Sequence, residues 1–240
     1  MVVRIDRLWP EPADELADDD IVDRGEPGVR VNFISSVDGA ATTGGLSGGL
    51  GDDSDHRRFE LLRRAADVVV VGAGTVRAEG YGPLRVSDES ARWLSQHGLP
   101  EHPVFAIVSG SLDLDRASRI FTEAPVRPIV VTSKKAEGTD AFTDVADVIA
   151  AGAEHVDLPA MLAALTERGL VRVLCEGGPS LFGSVLAVDR VDELYLTVSP
   201  RLEAGDARRI ASGDIPQPRH LSLRTVLRSG DTLLLTYGRA

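Results

Sequence analysis

The chain has little cysteine, little positive charge and no long apolar run, and each shortage excludes a class of protein. Its single cysteine, Cys175, rules out a disulfide within the 240 residues and a cysteine-rich zinc site. The 37 acidic and 26 basic side chains give a net charge of −11, which argues against a general nucleic-acid or anionic-membrane surface. No apolar run approaches the ~20 residues of a membrane helix, and the N-terminus lacks the apolar core of a signal peptide. We therefore expect a cytoplasmic protein that binds neither nucleic acid nor membrane.

Several catalytic signatures are also missing. The five histidines are scattered, with no pair at the spacing of metal ligands, so we predict no metal site. Neither the G-x-S-x-G turn of serine hydrolases nor the G-x-x-x-x-G-K-[ST] phosphate loop is present.

What is present is a regular alternation of short β-branched runs with helical segments. Residues 29–34, 67–71 and 171–175 are typical of strands, and residues 55–66 and 159–168 have the apolar spacing of helices. Such an alternation implies right-handed βαβ crossovers and a mostly parallel sheet flanked by helices.

Both ends of the chain depart from this alternation. Residues 221–227 and 232–237 flank the turn residues Ser229-Gly230-Asp231, which predicts a C-terminal antiparallel hairpin and therefore a mixed sheet. Residues 11–28 hold eight Asp or Glu and little periodicity, which is typical of an exposed segment. We predict an α/β fold in which an acidic lead-in over residues 1–28 precedes a single domain over residues 29–240.

Two glycine-rich segments follow predicted strands. The first begins at Asn32 as N-F-I-S-S-V-D-G and continues into a loop with five glycines, which can wrap closely around a flat ligand or form a mobile surface loop. The second, V-G-A-G-T-V-R, fails the dinucleotide-binding fingerprint because its third glycine would fall at Arg77. It can still present N–H groups and the Thr75 hydroxyl to a pyrophosphate, or serve only as a tight strand-to-helix turn.

Two other turns carry groups suited to phosphate. In C-E-G-G-P-S, Pro179 and Ser180 begin a helix whose N-terminus is open to an anion, and Glu176 would point into the same cleft. In T-S-K-K, at residues 132–135, two hydroxyls and two ammonium groups follow a strand and offer a local phosphate clamp. The alternatives are that Glu176 is a solvated loop acid and that the two lysines lie at an exposed helix start. Ligands of open α/β sheets bind at the carboxyl ends of the strands, where these turns lie.

The ordered blocks NFISSVDG, VGAGTVRAEGYGPLR, CEGGPSLFGSVL and DELYLTVSP resemble one family. It is the reductase domain of the bacterial bifunctional riboflavin-biosynthesis deaminase/reductase, together with its stand-alone relatives. The chain is similar in particular to actinobacterial stand-alone members associated with dihydrofolate-reductase activity. The resemblance implies a dihydrofolate-reductase-like fold, NADPH as cofactor, a pyrimidine or pterin substrate and a homodimer. We expect the strand at residues 194–198 to lie near a sheet edge and form the dimer interface.

The resemblance also implies roles for individual residues. Those along the cofactor would be Ile34, Gly72, Gly74, Thr75 and Glu79. Those at its pyrophosphate would be Gly177, Gly178, Pro179, Ser180, Leu181, Phe182, Gly183 and Ser184. Ser133 and Lys134 would meet the 2′-phosphate. Substrate would contact Asn32, Ser47, Asp55, Arg85 and Glu176, with Arg85 at its phosphate.

A reductase also needs a proton donor, and Asp55 and Glu176 are the two candidates, since a carboxyl group in a partly dry cleft has a raised pKa. Asp55 begins a predicted helix, so a plain N-cap is its alternative role. His56, in the same region, is expected to be a solvated helix residue.

The chain departs from the bifunctional members of the family in three ways. It contains neither H-A-E nor P-C-x-x-C, so it cannot deaminate a pyrimidine by the zinc mechanism. Residues 48–53 read G-G-L-G-D-D, where those members often carry a tryptophan after the first glycine-rich loop. The stretch that ends at Arg85 differs in length from theirs. Three functions stay open: reduction of 5-amino-6-ribosylamino-uracil 5′-phosphate or an analogue, reduction of another substrate such as dihydrofolate, and NADP binding without turnover.

Overall fold

The computed structural model describes residues 3–240. Its strands are β1 (Asp6–Trp9), β2 (Gly28–Ser36), β3 (Val68–Gly72), β4 (Val104–Val108), β5 (Ile129–Thr132), β6 (Asp147–Ala150), β7 (Arg172–Gly177), β8 (Glu193–Ser199), β9 (Leu221–Ser229) and β10 (Thr232–Arg239). Its helices are α1 (Asp18–Ile21), α2 (Asp53–Ala65), α3 (Ala73–Glu79), α4 (Asp88–Gln96), α5 (Arg119–Thr122), α6 (Leu158–Thr166) and α7 (Pro179–Ala187), with a 3-10 turn at Thr139–Phe142. No helix of this part of the chain combines the length and apolar character needed to cross a membrane.

The strands form one mixed sheet of ten, in the order β1-β9-β10-β8-β2-β7-β3-β4-β5-β6. The seven strands from β8 to β6 in that order pair in parallel, and β10, β9 and β1 continue the sheet antiparallel. The predicted fold class and the C-terminal hairpin are therefore confirmed. The hairpin turns at Gly230, where a φ of 57° places the backbone in the left-handed region that glycine adopts without strain.

Two apolar layers cover the central strands on opposite faces of the sheet. Val69 and Val71 pack with Leu61 and Leu62 of α2, whereas Val68 and Val70 pack with Met161 and Leu165 of α6. Because both faces of β3 are buried, its sequence is a continuous β-branched run and not an alternation. Burial of each such side chain contributes roughly 1.5–3 kcal/mol.

The N-terminal segment is attached to the sheet and to α2, although most of residues 11–28 are exposed and only Leu16, Ile21 and Val22 of that stretch are buried. β1 pairs with β9, and Ile5 is completely buried. Two of the three acids of α1 are held by α2, since Asp18 accepts from Arg57 and Asp19 accepts from Arg64. The sequence did not show these contacts, because it does not indicate which arginines lie opposite the acidic residues. The domain boundary at residue 29 stays a prediction, and residues 1–2 lie outside the described residues.

The strand expected to form the dimer interface is also placed differently. β8, which contains residues 194–198, lies between β10 and β2 in the sheet, so it is not near an edge. The C-terminal hairpin, added beyond it, removes the edge that the sequence suggested.

Candidate active site

A cavity of about 1110 Å³ opens where β2, β3 and β7 end. Its walls come from these strand ends, from α2, α3 and α7, and from two long loops. One is the glycine-rich loop after β2, and the other, the strap loop, is the segment of residues 200–212 after β8. The carboxyl ends of parallel strands are the usual place for ligands in such sheets.

Most of the residues predicted for the site line this single cavity. They are Asn32, Ile34, Ser47, Asp55, Gly72, Gly74, Thr75, Glu79, Glu176, Gly178, Pro179, Ser180 and Leu181. Three of the four predicted segments therefore meet here. The structure brings these residues together, and their individual roles stay predictions.

The turn between β7 and α7 is packed tightly against the turn after β3. A Cβ atom on Gly178 would lie 2.3 Å from the Thr75 hydroxyl, so only glycine fits at this close approach. Gly177 has a φ of +95°, and a Cβ there would meet the ring of Phe33 at 2.8 Å. The peptide bond between the two glycines is cis.

α7 starts immediately after this turn. Its N-cap, Gly178, has no side chain to accept a hydrogen bond, and Pro179 occupies the first turn. The remaining N–H groups of that turn are left for an external acceptor, and the helix dipole favours an anion there. Glycine turns, an uncapped helix N-terminus and a cavity of this size fit a dinucleotide.

A buried charged cluster forms the floor of the cavity. Arg63 of α2 donates from Nε to Oε1 of Glu176 at 2.7 Å and from Nη2 to Oε2 at 2.8 Å, and the Tyr81 hydroxyl donates to Oε2 at 3.0 Å. Burial lowers the pKa of Arg63, but the charge of Glu176 outweighs this effect and raises it. Burial also raises the pKa of Tyr81 well above its usual value, and Glu176 adds to the shift. Glu176 is thus a fixed carboxylate, not a solvated loop acid.

Asp55 has a different environment on the same helix. The N-cap of α2 is Asp52, whose carboxylate accepts from the N–H groups of Ser54 and Asp55, so the alternative role of Asp55 as N-cap is wrong. This leaves the Asp55 side chain to line the cavity. Burial raises its pKa, against the opposing effects of the Thr197 hydroxyl and of the nearby positive charge of Arg58.

The strap loop is anchored at several points around the cavity mouth. The Asp38 carboxylate accepts from the N–H groups of Glu203 and Ala204 at 3.2 and 2.7 Å. The N–H of Ala41 donates to the carbonyl of Arg208, and the N–H of Ser212 donates to the carbonyl of Pro179. The glycine-rich loop is held in turn, because Glu79 accepts from the N–H of Ser47. Both loops are therefore attached to the framework of the site.

Six predicted site residues lie outside the cavity, apart from the turn residue Gly177. Arg85 is exposed and donates to the carbonyl of Glu123, and neither Ser133, which is buried, nor Lys134, which is exposed, is part of the wall. The other three belong to α7 and make contacts within the protein. Phe182 stacks on Phe33, a Cβ on Gly183 would meet the Ser212 carbonyl, and Ser184 donates to the Ser180 carbonyl.

Some residues of the site were missed by sequence reasoning. Phe59 and Arg63 line the cavity with Asp55, at a spacing of four residues along α2, and this helical stripe was a usable signal. His56, expected to be solvated, is exposed but also lines the cavity. No local pattern marks the contribution of the strap loop, because it depends on contacts between distant segments. Among residues 3–240, no three His, Cys, Asp or Glu are grouped to hold a metal ion.

Comparison with known proteins places this geometry in a family. The RibD C-terminal domain model matches residues 27–235. A 2,5-diamino-6-ribosylamino-4(3H)-pyrimidinone 5′-phosphate reductase of Methanothermobacter thermautotrophicus is 29% identical over 217 residues, which cover 88% of this chain and 97% of the relative. A reductase of the same name from Archaeoglobus fulgidus is 28% identical over 192 residues, covering 78% and 87%.

Solved structures agree. A pyrimidine reductase-like protein of Corynebacterium diphtheriae superposes with a TM-score of 0.82 at 28% identity, covering 92% of this chain and 97% of that one. A bifunctional deaminase/reductase of Thermotoga maritima, at 22% identity and a TM-score of 0.71, covers 89% of this chain and 57% of that one and supports the fold. The family model spans nearly the whole sheet and every element of the cavity, and the chain therefore belongs to the RibD C-terminal domain family.

Proposed function

We propose that this protein is an NADPH-dependent reductase of a ribosylamino-pyrimidine 5′-phosphate in riboflavin biosynthesis. The substrate is 5-amino-6-ribosylamino-uracil 5′-phosphate or the diamino-pyrimidinone for which the archaeal relatives are named. One observation carries this proposal. In a single cavity, the dinucleotide-sized cradle at Gly178 faces the Arg63–Glu176–Tyr81 cluster and Asp55.

The reaction defines what the residues of the chain must do. A ring-opened ribosylamine is an imine, and its reduction needs a hydride at carbon and a proton at nitrogen. Reductases of this family use a nicotinamide cofactor, which supplies the hydride when bound. The protein must hold the pyrimidine at the right distance and deliver the proton.

We assign the proton to Asp55. Burial raises the pKa of this carboxyl group, so it keeps its proton to a higher pH than an ordinary aspartate. Glu176 was the other candidate, but its two carboxylate oxygens already accept two N–H donors of Arg63 and the hydroxyl of Tyr81. We assign Glu176 the task of accepting an N–H group of the substrate.

NADPH over NADH is part of the same proposal. The T-S-K-K segment after β5 supplies an ammonium group suited to a 2′-phosphate. Lys134 is exposed and its side chain makes no hydrogen bond or ion pair with any residue from 3 to 240, whereas Lys135 is paired with Glu154 at 2.6 Å. Lys134 is therefore the group of this segment that supports the proposal.

Oxidation of NADPH, followed by its near-ultraviolet absorbance, tests the proposal. The purified protein is assayed with each of the two pyrimidine phosphates and with dihydrofolate. We expect turnover with at least one pyrimidine phosphate and confirmation of the ribityl product by mass spectrometry. If NADPH is oxidised with dihydrofolate but with neither pyrimidine phosphate, the substrate is a pterin and not a pyrimidine. Tight NADPH binding without any oxidation would indicate a non-catalytic NADP-binding protein.

A further inference from the structure

The charged groups that line the cavity are mostly acidic. The acids are Asp55, Glu79, Glu176, Glu203 and Asp206, and the guanidinium groups are those of Arg63 and Arg208. Arg63 is neutralised by Glu176. Arg208 makes no side-chain hydrogen bond and no ion pair within residues 3–240, and neither Glu203 nor Asp206 of the same loop is paired with it. It is the one guanidinium of the described cavity wall that is available to a ligand.

The backbone of Arg208 is held in place at the cavity. Its carbonyl accepts the N–H of Ala41 at 2.8 Å, which ties it to the glycine-rich loop. Four residues later the N–H of Ser212 donates to the Pro179 carbonyl at 3.0 Å, next to the start of α7. Arg208 therefore lies on a stretch of the strap loop that runs between the glycine-rich loop and the N-terminus of α7.

We propose that Arg208 binds a phosphate group of the bound reactants, on the strap loop that no motif of the sequence identified. The inference rests on the proposed function, which brings two phosphate-bearing molecules into the cavity. In a chain of net charge −11, a local cation favours an anion that enters an acidic cavity, in addition to the N–H groups of α7. A guanidinium is suited to this task because it pairs with phosphate through two parallel N–H donors. Arg85, the sequence candidate, is held by the Glu123 carbonyl and lies outside the wall.

The phosphate has two sources, the pyrophosphate of the dinucleotide and the 5′-phosphate of the pyrimidine, and two measurements distinguish them. The first is fluorescence titration of NADPH, without substrate, into wild type, Arg208→Ala and Arg208→Lys. Arg209→Ala is the matched control, because Arg209 is the exposed neighbour that does not line the cavity. If the pyrophosphate is the ligand, Arg208→Ala raises the Kd for NADPH roughly three- to tenfold, the modest size reflecting solvent screening of an exposed charge.

The second measurement compares kcat/KM for the pyrimidine 5′-phosphate and for its dephosphorylated nucleoside at saturating NADPH. If the substrate phosphate is the ligand, Arg208→Ala lowers kcat/KM for the phosphorylated compound by a similar factor and leaves the nucleoside unchanged. In either case Arg208→Lys should cause a smaller loss than Arg208→Ala, since lysine keeps the positive charge but lacks the two-donor geometry.

The proposal is overturned if Arg208→Ala leaves both the NADPH Kd and the phosphate-to-nucleoside ratio at wild-type values. It is also overturned if Arg209→Ala changes these two quantities as much as Arg208→Ala does. The general positive charge of the loop, and not a specific site, would then be responsible. Should wild type turn over neither pyrimidine, the proposed function fails, and the NADPH titration alone decides whether Arg208 binds phosphate.

Discussion

Arg63 and Glu176 are 113 residues apart in the chain and form a bidentate ion pair, Nε to Oε1 at 2.7 Å and Nη2 to Oε2 at 2.8 Å. The pair joins α2 to the end of β7, so it fixes the one carboxylate that the sequence placed at the strand end. The side chain of Arg63 is 16% exposed and that of Glu176 is 1% exposed, so removing either partner would leave a largely buried charge unpaired.

Glu176→Gln should therefore lower the free energy of unfolding by about 3 kcal/mol, since it leaves a buried guanidinium without its counter-charge. Urea denaturation measures the change. The double variant Arg63→Met, Glu176→Gln should recover part of the loss, because no buried charge remains unpaired. If Glu176→Gln alone is as stable as wild type, the ion pair does not contribute to the stability of the fold.

Asp55→Asn should reduce kcat by about a hundredfold or more while NADPH binds as in wild type, because the amide cannot act as an acid. The exposed neighbour Asp53 gives the matched control, Asp53→Asn. Steady-state rates near those of wild type in Asp55→Asn would remove Asp55 from the mechanism.

The pH profile of wild type gives an independent check of Asp55. Its folded pKa is raised, so the proton-bearing form is lost only as the pH rises through that raised value. We expect kcat to decline with increasing pH on a limb above the ordinary aspartate range of about 4. Because folding favours the protonated form, Asp55→Asn should be at least as stable as wild type at neutral pH.

Gly178→Val should weaken NADPH binding by an order of magnitude or more. The added Cβ would lie 2.3 Å from the Thr75 hydroxyl, and crowding of this kind typically costs roughly 1–3 kcal/mol. Gly110→Val is the control, because a Cβ there meets no atom within 4 Å. Circular dichroism establishes that both variants are folded. If a folded Gly178→Val protein binds NADPH as tightly as wild type, the cofactor does not bind at the turn containing Gly178.

Titration of both cofactors should show NADPH binding more tightly than NADH. In the variant Ser133→Ala, Lys134→Ala the preference should fall by about tenfold, the value of one charge-assisted hydrogen bond. Lys135→Ala is the control, since Lys135 is paired with Glu154. A preference that survives the double variant would place the 2′-phosphate on another loop.

The expected homodimer has a candidate surface on the C-terminal part of the sheet. Val198 lies opposite Leu233, and Val226 lies opposite Leu235, and all four are half-buried without belonging to either core layer. Two copies of net charge −11 repel one another, so we expect them to meet on an apolar set of this kind, beside which Arg228 lies opposite Leu233. Leu235→Lys should convert the dimer to monomer in light scattering, and Leu202→Lys, at a residue 79% exposed elsewhere, should not. A monomeric wild type would exclude the dimer.

The sequence by itself indicated most of the strands and helices from residue 29 onwards, because residue periodicity and glycine or proline turns are local properties, but it did not indicate β1 and α1. It also determined that the turns at Thr75 and Glu176 would lie at strand ends, where parallel sheets place their ligands. The four ordered blocks were sufficient to indicate the family.

Only the tertiary structure decided which charges meet. Glu176 became a fixed carboxylate because α2 places Arg63 beside it, and Arg85 was removed from the site because the Glu123 carbonyl holds it. The acidic residues Asp18 and Asp19 lie against α2 because its residues Arg57 and Arg64 donate to them. Ion pairs between distant segments depend on how the chain folds back on itself, and no local pattern of residues encodes that separation in space.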